Sequence, residues 1–339
     1  MGEKMNIYDI SEKAGVSIAT VSRVLNGNEK VSEKTRKKVL KVMEETGYKP
    51  NAFARGLGLD SMRTVGIMCA DSSDSYLANA VYFLEQELRS HQYDVLLCCT
   101  GYEQEAREKY AELLISKRVD AVIMVGSNFV SAESKENKYI KKLAEQIPVL
   151  LLNGYIKGNN IYSVACNDKE IQYQVTKAFL AADEKAVLYL ARRMSYGAKQ
   201  KIAGFKKACE EARVVVKEEQ IIQYNGDVVA VKEMLLKRLK NNQEYRVILC
   251  ADDELAIGAL KYAKEAGRKI PEDLQIVGFN NSVMSLCCEP ELTSVDNKLN
   301  ATCTNAVELL MKVLGGEETE SKIIIPAEII NRNTTKIKL

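Results

Sequence analysis

Asn6-Ile7-Tyr8-Asp9-Ile10-Ser11-Glu12-Lys13-Ala14-Gly15-Val16-Ser17-Ile18-Ala19-Thr20-Val21-Ser22-Arg23-Val24-Leu25-Asn26 is the stretch on which the reading of this chain turns. Ile7, Ile10 and Ala14 recur at helical spacing, so one stripe of a first short helix packs inward while Glu12 and Lys13 stay wet. Gly15 supplies the backbone freedom of a tight turn. Ser17 precedes the next periodic run, where its hydroxyl can accept a bond from an orphan amide and start a second helix. In that helix Val21, Val24 and Leu25 face the first, which leaves Ile18, Ala19, Ser22 and Arg23 pointing outward. Two short helices hinged at a glycine make a helix-turn-helix, whose second helix enters the DNA major groove by its first turn. Arg23 can donate two parallel bonds to a guanine, worth roughly 1–3 kcal/mol of discrimination, while Ile18 and Ala19 can read only shape and thymine methyls.

A third helix is expected over Glu33 to Thr46, capped by Ser32, stopped by Gly47, and with Val39, Leu40 and Met43 inward. Its outer face carries Lys34, Arg36, Lys37, Lys38 and Lys41, either a solvated surface or a track for phosphates. Residues 1–60 hold 11 Lys and Arg against 8 Asp and Glu, whereas the remainder holds 37 against 38. The positive excess therefore sits where attraction to phosphate would use it.

This region closely resembles the lactose-repressor (LacI/GalR) family of bacterial transcription regulators. The likeness rests on Gly15-Val16-Ser17, Ala19-Thr20-Val21-Ser22-Arg23-Val24-Leu25-Asn26, Val31-Ser32, Thr35-Arg36 with Val39-Leu40, and Gly47-Tyr48-Lys49-Pro50-Asn51-Ala52. It implies that Ile18, Ala19 and Arg23 read bases, and that Tyr8, Ser17, Thr20, Ser22, Asn26, Ser32, Thr35 and Tyr48 contact phosphate or support that contact. Pro50-Asn51-Ala52-Phe53-Ala54-Arg55-Gly56-Leu57 by itself reads as a plain interdomain linker. The resemblance makes it a hinge helix, about 50–58, that orders on operator DNA and brings Ala54 and the wedge Leu57 to the minor groove. Gly56 and Gly58 each weaken such a helix by about 1 kcal/mol relative to alanine, which suits an element that forms only when bound.

From Thr64 onward β-branched runs alternate with amphipathic ones. Strands are expected at Thr64–Met68, Asp94–Cys98, Ala121–Val125 and Val149–Leu152, separated by helices near Tyr76–Arg89, Glu103–Ser116 and Lys135–Glu145, with one sheet complete near Asn153. A second series runs from a helix at Lys169–Ala182 through strands at Ala186–Leu190, Gln220–Ile222, Val247–Cys250 and Leu274–Phe279, with helices at Lys199–Ala212, Val228–Lys240 and Glu254–Ala266 between them. Two open α/β sheets in tandem imply two lobes and a cleft, with ligand outside the carboxyl ends of the strands. The expected fold class is α/β: an all-α helix-turn-helix domain, residues 1–60, followed by a two-lobed effector-binding and dimerisation domain, residues 61–339.

That second domain is similar to the family's effector domain, which has the fold of periplasmic sugar-binding proteins. Arg118-Val119-Asp120, Ile147-Pro148-Val149, Gly204-Phe205, Ala251 to Leu260, Ile270-Pro271-Glu272-Asp273, Val277-Gly278-Phe279 and Pro290 to Val295 carry the likeness. It implies three crossings between lobes, near Val164, Ser294 and Ile324, giving a first lobe of about 64–163 and 295–323 and a second of about 164–294 and 324–339. It also places Asp71, Tyr76, Asn153, Lys201, Asp252, Asn280 and Asn297 in the effector cleft. Lys201 stands where sugar-responsive members carry an arginine, and Val228 where an aromatic is common, so the geometry that grips a pyranose is lost. Lys201 with Asn280 and Asn153 would still suit an acidic or phosphorylated metabolite, or a protein corepressor, and the expected effector is one of these or a sugar. Each residue also has a plainer role: Asp252 as a helix cap, Lys201 as a solvated flank, Tyr76 as core.

The expected protein is a cytoplasmic, homodimeric repressor of a palindromic operator, since one recognition helix reads only a few base pairs. Nine cysteines without a Cys-x-x-Cys pair, and a single histidine, His91, give no zinc spacing. The thiols are expected to be reduced, because no signal peptide is seen before Met5 and no apolar run reaches membrane length. No cofactor is expected, and no tetramer, since no heptad extension follows Leu339. A sugar-binding transport protein would share the two-lobed fold but carry a secretion signal in place of the DNA-reading segment. An α/β enzyme would carry a glycine-rich phosphate loop or a Gly-x-Ser-x-Gly elbow, and neither is present.

Overall fold

The structure, a computed structural model, describes residues 5–25, 30–48, 61–131, 135–240 and 244–339. The chain divides into two compact units, residues 1–64 with 118–120 and residues 65–117 with 121–339.

In the first unit, α1 (Ile7–Ala14) starts at Asn6, whose side chain accepts from the amides of Tyr8 and Asp9 while Asp9 answers on the Asn6 amide at 2.7 Å. This reciprocal cap satisfies donors that a helix start leaves open. Gly15 ends the helix at φ 57°, a left-handed turn that favours glycine. Ser17 accepts from the Thr20 amide at 3.2 Å and so opens α2 (Ile18–Leu25); Ser32 accepts from the Thr35 amide at 3.3 Å at the head of α3 (Glu33–Thr46). Ile10, Ala14, Val21, Val24 and Val39 form the core. Each Ile or Val here contributes roughly 1.5–3 kcal/mol, a modest total for a unit this small. Leu40, expected inward, is 47 % exposed. The helical advance turns Val39, and in part Val42 and Met43, to the core and leaves Leu40 on the flank.

The second unit holds two six-stranded sheets. One comprises β1 (Thr64–Cys69), β2 (Asp94–Cys99), β3 (Ala121–Val125), β4 (Val149–Leu152), β5 (Ile161–Cys166) and β11 (Lys322–Ile325), ordered β11-β5-β4-β3-β1-β2. The other comprises β6 (Val187–Ala191), β7 (Ile221–Gln223), β8 (Val247–Cys250), β9 (Gln275–Phe279), β10 (Thr293–Asp296) and β12 (Glu328–Ile330), ordered β12-β10-β9-β8-β6-β7. The two orders are the same topology repeated, except that β11 runs parallel to β5 and β12 antiparallel to β10. Central strands such as Ala121–Val125 are buried along their whole length, as parallel strands covered on both faces must be. The helices are α4 (Ser75–Ser90), α5 (Gln104–Ser116), α6 (Lys138–Ala144), α7 (Asp168–Ala181), α8 (Tyr196–Glu211), α9 (Val228–Leu239), α10 (Asp253–Glu265), the short α11 (Met284–Cys287) and α12 (Leu299–Leu314).

The first sheet does not end at Asn153, because β5 and β11 extend it. Ile161-Tyr162-Ser163-Val164-Ala165-Cys166 hid as a strand because Ser163 interrupts its apolar run. Ser163 is 1 % exposed and donates its hydroxyl to the Gly154 carbonyl at 2.5 Å. Buried Thr293 and Ser294 hid β10 in the same way. The chain leaves the first sheet after Cys166, the second after Asp296 and the first again after Ile325, one or two residues beyond the expected crossings. Asn167 ties two of these crossings together: its side chain accepts from the Ala327 amide at 2.8 Å. Among the described residues no helix is long and apolar enough to cross a membrane, and no group of three or more His, Cys, Asp or Glu is placed to hold a metal.

Candidate functional site

Two surfaces carry the candidate residues. On the first unit, Ile18, Ala19 and Arg23 are exposed together on the outer face of α2. Ser17 and Thr20 hydroxyls lie 2.9 Å apart at its N-terminus, and Ser32 and Thr35 repeat the arrangement at 2.8 Å at the head of α3. Each pair presents hydroxyls at the start of a helix, a place suited to a phosphate oxygen. Tyr8 is 66 % exposed, Ser22 is half-buried, and Tyr48 packs in part against the small core, a supporting place more than a contacting one. Lys34, Lys37, Lys38 and Lys41 are exposed on α3; the Lys37–Glu33 and Lys41–Glu45 pairs are solvated and contribute little. Asn26, Ala54, Leu57 and the hinge at 50–58 lie outside the described residues.

On the second unit, loops at the carboxyl ends of both sheets line a cavity of about 490 Å³, within the usual range for small-molecule sites. Asp71, Tyr76, Asn153, Lys201, Asp252, Asn280 and Asn297 all stand in its wall. The repeated topology explains their convergence. Asn153 directly follows β4 and Asn280 follows β9, the matching strand of the other sheet, and each turns at positive φ, 60° and 98°. Asparagine tolerates that region better than other side chains bearing a Cβ. Asn167 and Asn297 likewise follow β5 and β10.

The first lobe supplies Asp71, whose carboxylate accepts from the hydroxyl and amide of Ser73 and is held below the usual range by those bonds. Asp74 caps α4 through the Leu77 amide at 3.0 Å. Burial pushes its carboxyl up, and the Asp252 charge adds to the shift. The Tyr76 hydroxyl accepts from the Asn153 side chain, whose oxygen accepts from the Cys166 amide at 3.2 Å. Tyr76 is thus tied into the floor of the first lobe.

The second lobe supplies a charge network that sequence reasoning missed. Arg192 donates to Asp252, to Glu254 at 2.6 Å and to the Gly226 carbonyl at 3.0 Å. Asp252 also caps α10 through the Leu255 amide at 2.8 Å, so its plainer role is the one observed. Lys201 is not a solvated flank: its ammonium donates to the Ala251 carbonyl at 2.8 Å and sits 3.4 Å above the centre of the Phe279 ring. Asp253 is 2 % exposed and binds Ser282 and Ser294, both at 2.6 Å, an anchor of α10 and not a free cleft group. Asn280 accepts from Asn297 at 2.9 Å. The signal for Arg192 was its place: Arg192-Arg193 follows an expected strand at the end where ligands collect.

Among the described residues, two contacts that bridge the lobes stand out. Ser127 donates to Ser195, the cap of α8, at 2.9 Å, and the Arg193 guanidinium stacks 4.4 Å from the centre of the Tyr102 ring. Both close the cleft across its width.

The sequence over residues 6–51 matches the family described as bacterial regulatory proteins, lacI family. Residues 62–333 match periplasmic binding proteins and sugar binding domain of LacI family. An HTH-type transcriptional regulator of Lachnoclostridium phytofermentans is 48 % identical over 331 residues, covering 98 % of this chain and 99 % of the relative. Catabolite control protein A of Priestia megaterium is 30 % identical over 339 residues, with the same coverage of 98 % and 99 %. Among solved structures, a Lac repressor dimer bound to operator and the anti-inducer ONPF superposes with a TM-score of 0.87 at 22 % identity, covering 98 % of this chain and 99 % of that one.

Proposed function

From the premise that the chain belongs to the LacI family of bacterial regulatory proteins, and so is a DNA-binding transcription regulator, we propose that it is a repressor that binds a palindromic operator as a homodimer under the control of a cleft-bound small molecule. The observation that carries this is the joint exposure of Ile18, Ala19 and Arg23 on one face of α2, with hydroxyl pairs at the heads of α2 and α3. One such helix covers only a few base pairs, so specificity requires a second copy related by a twofold axis. Exposed apolar side chains on the second unit, Tyr82 and Leu97 on the first lobe and Val283 and Leu286 on the other, supply surface for that pairing. The fold shared with an operator-bound Lac repressor dimer supports the same arrangement. The effector alters DNA affinity only to the extent that it prefers one arrangement of the lobes.

The regulator acts by binding, with no catalytic step. Selection from random duplexes, followed by a gel shift across a salt series, tests the reading. A specific site should hold at salt that removes random-DNA binding. Absence of any preferred site, with and without candidate metabolites, would overturn it.

A further inference from the structure

We propose that the cleft takes a ligand bearing a positively charged amine, with hydroxyls beside it, in preference to an anion, because carboxylates outnumber cations in its wall and the buried Asn297 side-chain oxygen there lacks a donor. This rests on the reading of the cleft as the effector site and names the class of effector.

Among the described residues lining the cavity, acidic side chains outnumber basic ones by seven to three. All three cations have partners. Arg192 is held by two carboxylates and a carbonyl, Arg193 lies on the Tyr102 ring, and Lys201 meets the Ala251 carbonyl and the Phe279 ring. A phosphate or carboxylate entering here would have to share these cations with their present partners and face the surplus of negative charge in the wall.

One buried acceptor in the wall is in the opposite condition. Asn297 is 5 % exposed and lines the cavity, and its side-chain oxygen has no hydrogen-bond partner. A buried acceptor without a donor is costly and calls for one. Asp168, at the first crossing between lobes, has Lys201 as its nearby cation. Burial pushes its carboxyl up, the mark of a charge the protein does not fully compensate. Its oxygen lies beside Gly197 and Ser127: a Cβ on Gly197 would come within 3.0 Å of both Asp168 Oδ2 and Ser127 Oγ. An ammonium has three donors and no acceptor, which complements Asp168, Ser127 and the Asn297 oxygen; hydroxyls complete a ligand of this polarity.

Calorimetric titration of the full chain with matched probes tests this: glucosamine against glucose and glucose 6-phosphate, and putrescine against 1,4-butanediol, all at one ionic strength. At least one amine should bind about tenfold more tightly than its neutral counterpart, the size expected of a charge-assisted hydrogen bond. Asp168→Asn should abolish that preference. Asp74→Asn keeps a capping side chain and should reduce it, which guards against misfolding of the first variant. Tighter binding of glucose or glucose 6-phosphate than of any amine, or a panel silent throughout, overturns the proposal. If such binding is lost in Asn280→Ala, the cleft stands as the effector site and only the amine fails. If it survives Asn280→Ala and Asp168→Asn alike, the effector site lies elsewhere and both readings fall.

Discussion

In the N-terminal unit the residues assigned to base reading come from one short helix, and Ile18, Ala19 and Arg23 all stand in solvent; in the cleft, residues from Asp71 to Asn297 converge from many loops, and most of their polar heads already bind one another. The first arrangement waits for a rigid, charged partner whose shape supplies the geometry. The second is largely satisfied within itself, so its capacity to select lies in the few groups left over. A recognition surface thus has to be read from exposure, and a ligand cleft from unmet hydrogen-bond capacity.

The sharpest way to separate the two regions is Gly204→Ala. A Cβ there would stand 2.2 Å from the Lys169 carbonyl oxygen, where α8 crosses α7, and neither backbone can yield easily. We expect a loss of about 3 kcal/mol confined to the α/β unit, with the helical unit unchanged; denaturant unfolding followed separately for the two units checks it. Arg192→Ala comes next. It strands Asp252 and Glu254, both partly shielded, and should cost on the order of 2 kcal/mol, read in the same unfolding experiment. Arg23→Ala acts on the other side of the comparison: specific DNA affinity should fall roughly tenfold, about 1.5 kcal/mol, with the stability of both units unaltered. Equal loss on random DNA would reassign Arg23 to a phosphate.

A smaller effect is expected from Ser127→Ala, which removes a direct hydrogen bond between the lobes at 2.9 Å. Closure should weaken by about 1 kcal/mol, visible as a larger radius in solution scattering of the ligand-free protein. The smallest concerns pH. Burial raises the carboxyls of Asp74, Asp168, Asp253 and Glu254 above their ordinary values, so each binds its proton more tightly folded than unfolded. Their contribution to stability is complete below the ordinary value of 3.8 for aspartate and is lost as pH rises through the raised values; Asp71, lowered, opposes them. The unfolding midpoint of the ligand-free protein should therefore gain from Asp168→Asn above that window and not below it.

Much of the fold was legible. Glu33–Thr46, Ala121–Val125, Val149–Leu152 and Val247–Cys250 form over the residues that periodicity marked, because a buried helix stripe or a doubly covered strand writes its burial into the local pattern. Strands β5 and β10 were not, since Ser163, Thr293 and Ser294 satisfy their hydroxyls through partners far along the chain or across a turn. The same limit divided the cleft. Tyr76, Asn153, Lys201 and Asn280 were placed near it by likeness and by position after strands, but nothing local foretold that Lys201 would stack on Phe279 or that Arg192 would take Asp252 and Glu254.

The sequence by itself determined the helix-turn-helix and the tandem α/β order, because caps, turns and hydrophobic periodicity act over a few residues. Which cleft groups are engaged and which are left wanting was decided only in three dimensions. Hydrogen bonds and ion pairs between loops depend on distances that chain order does not encode: Arg192 and Asp252 are paired across one lobe, and Ser127 meets Ser195 across two.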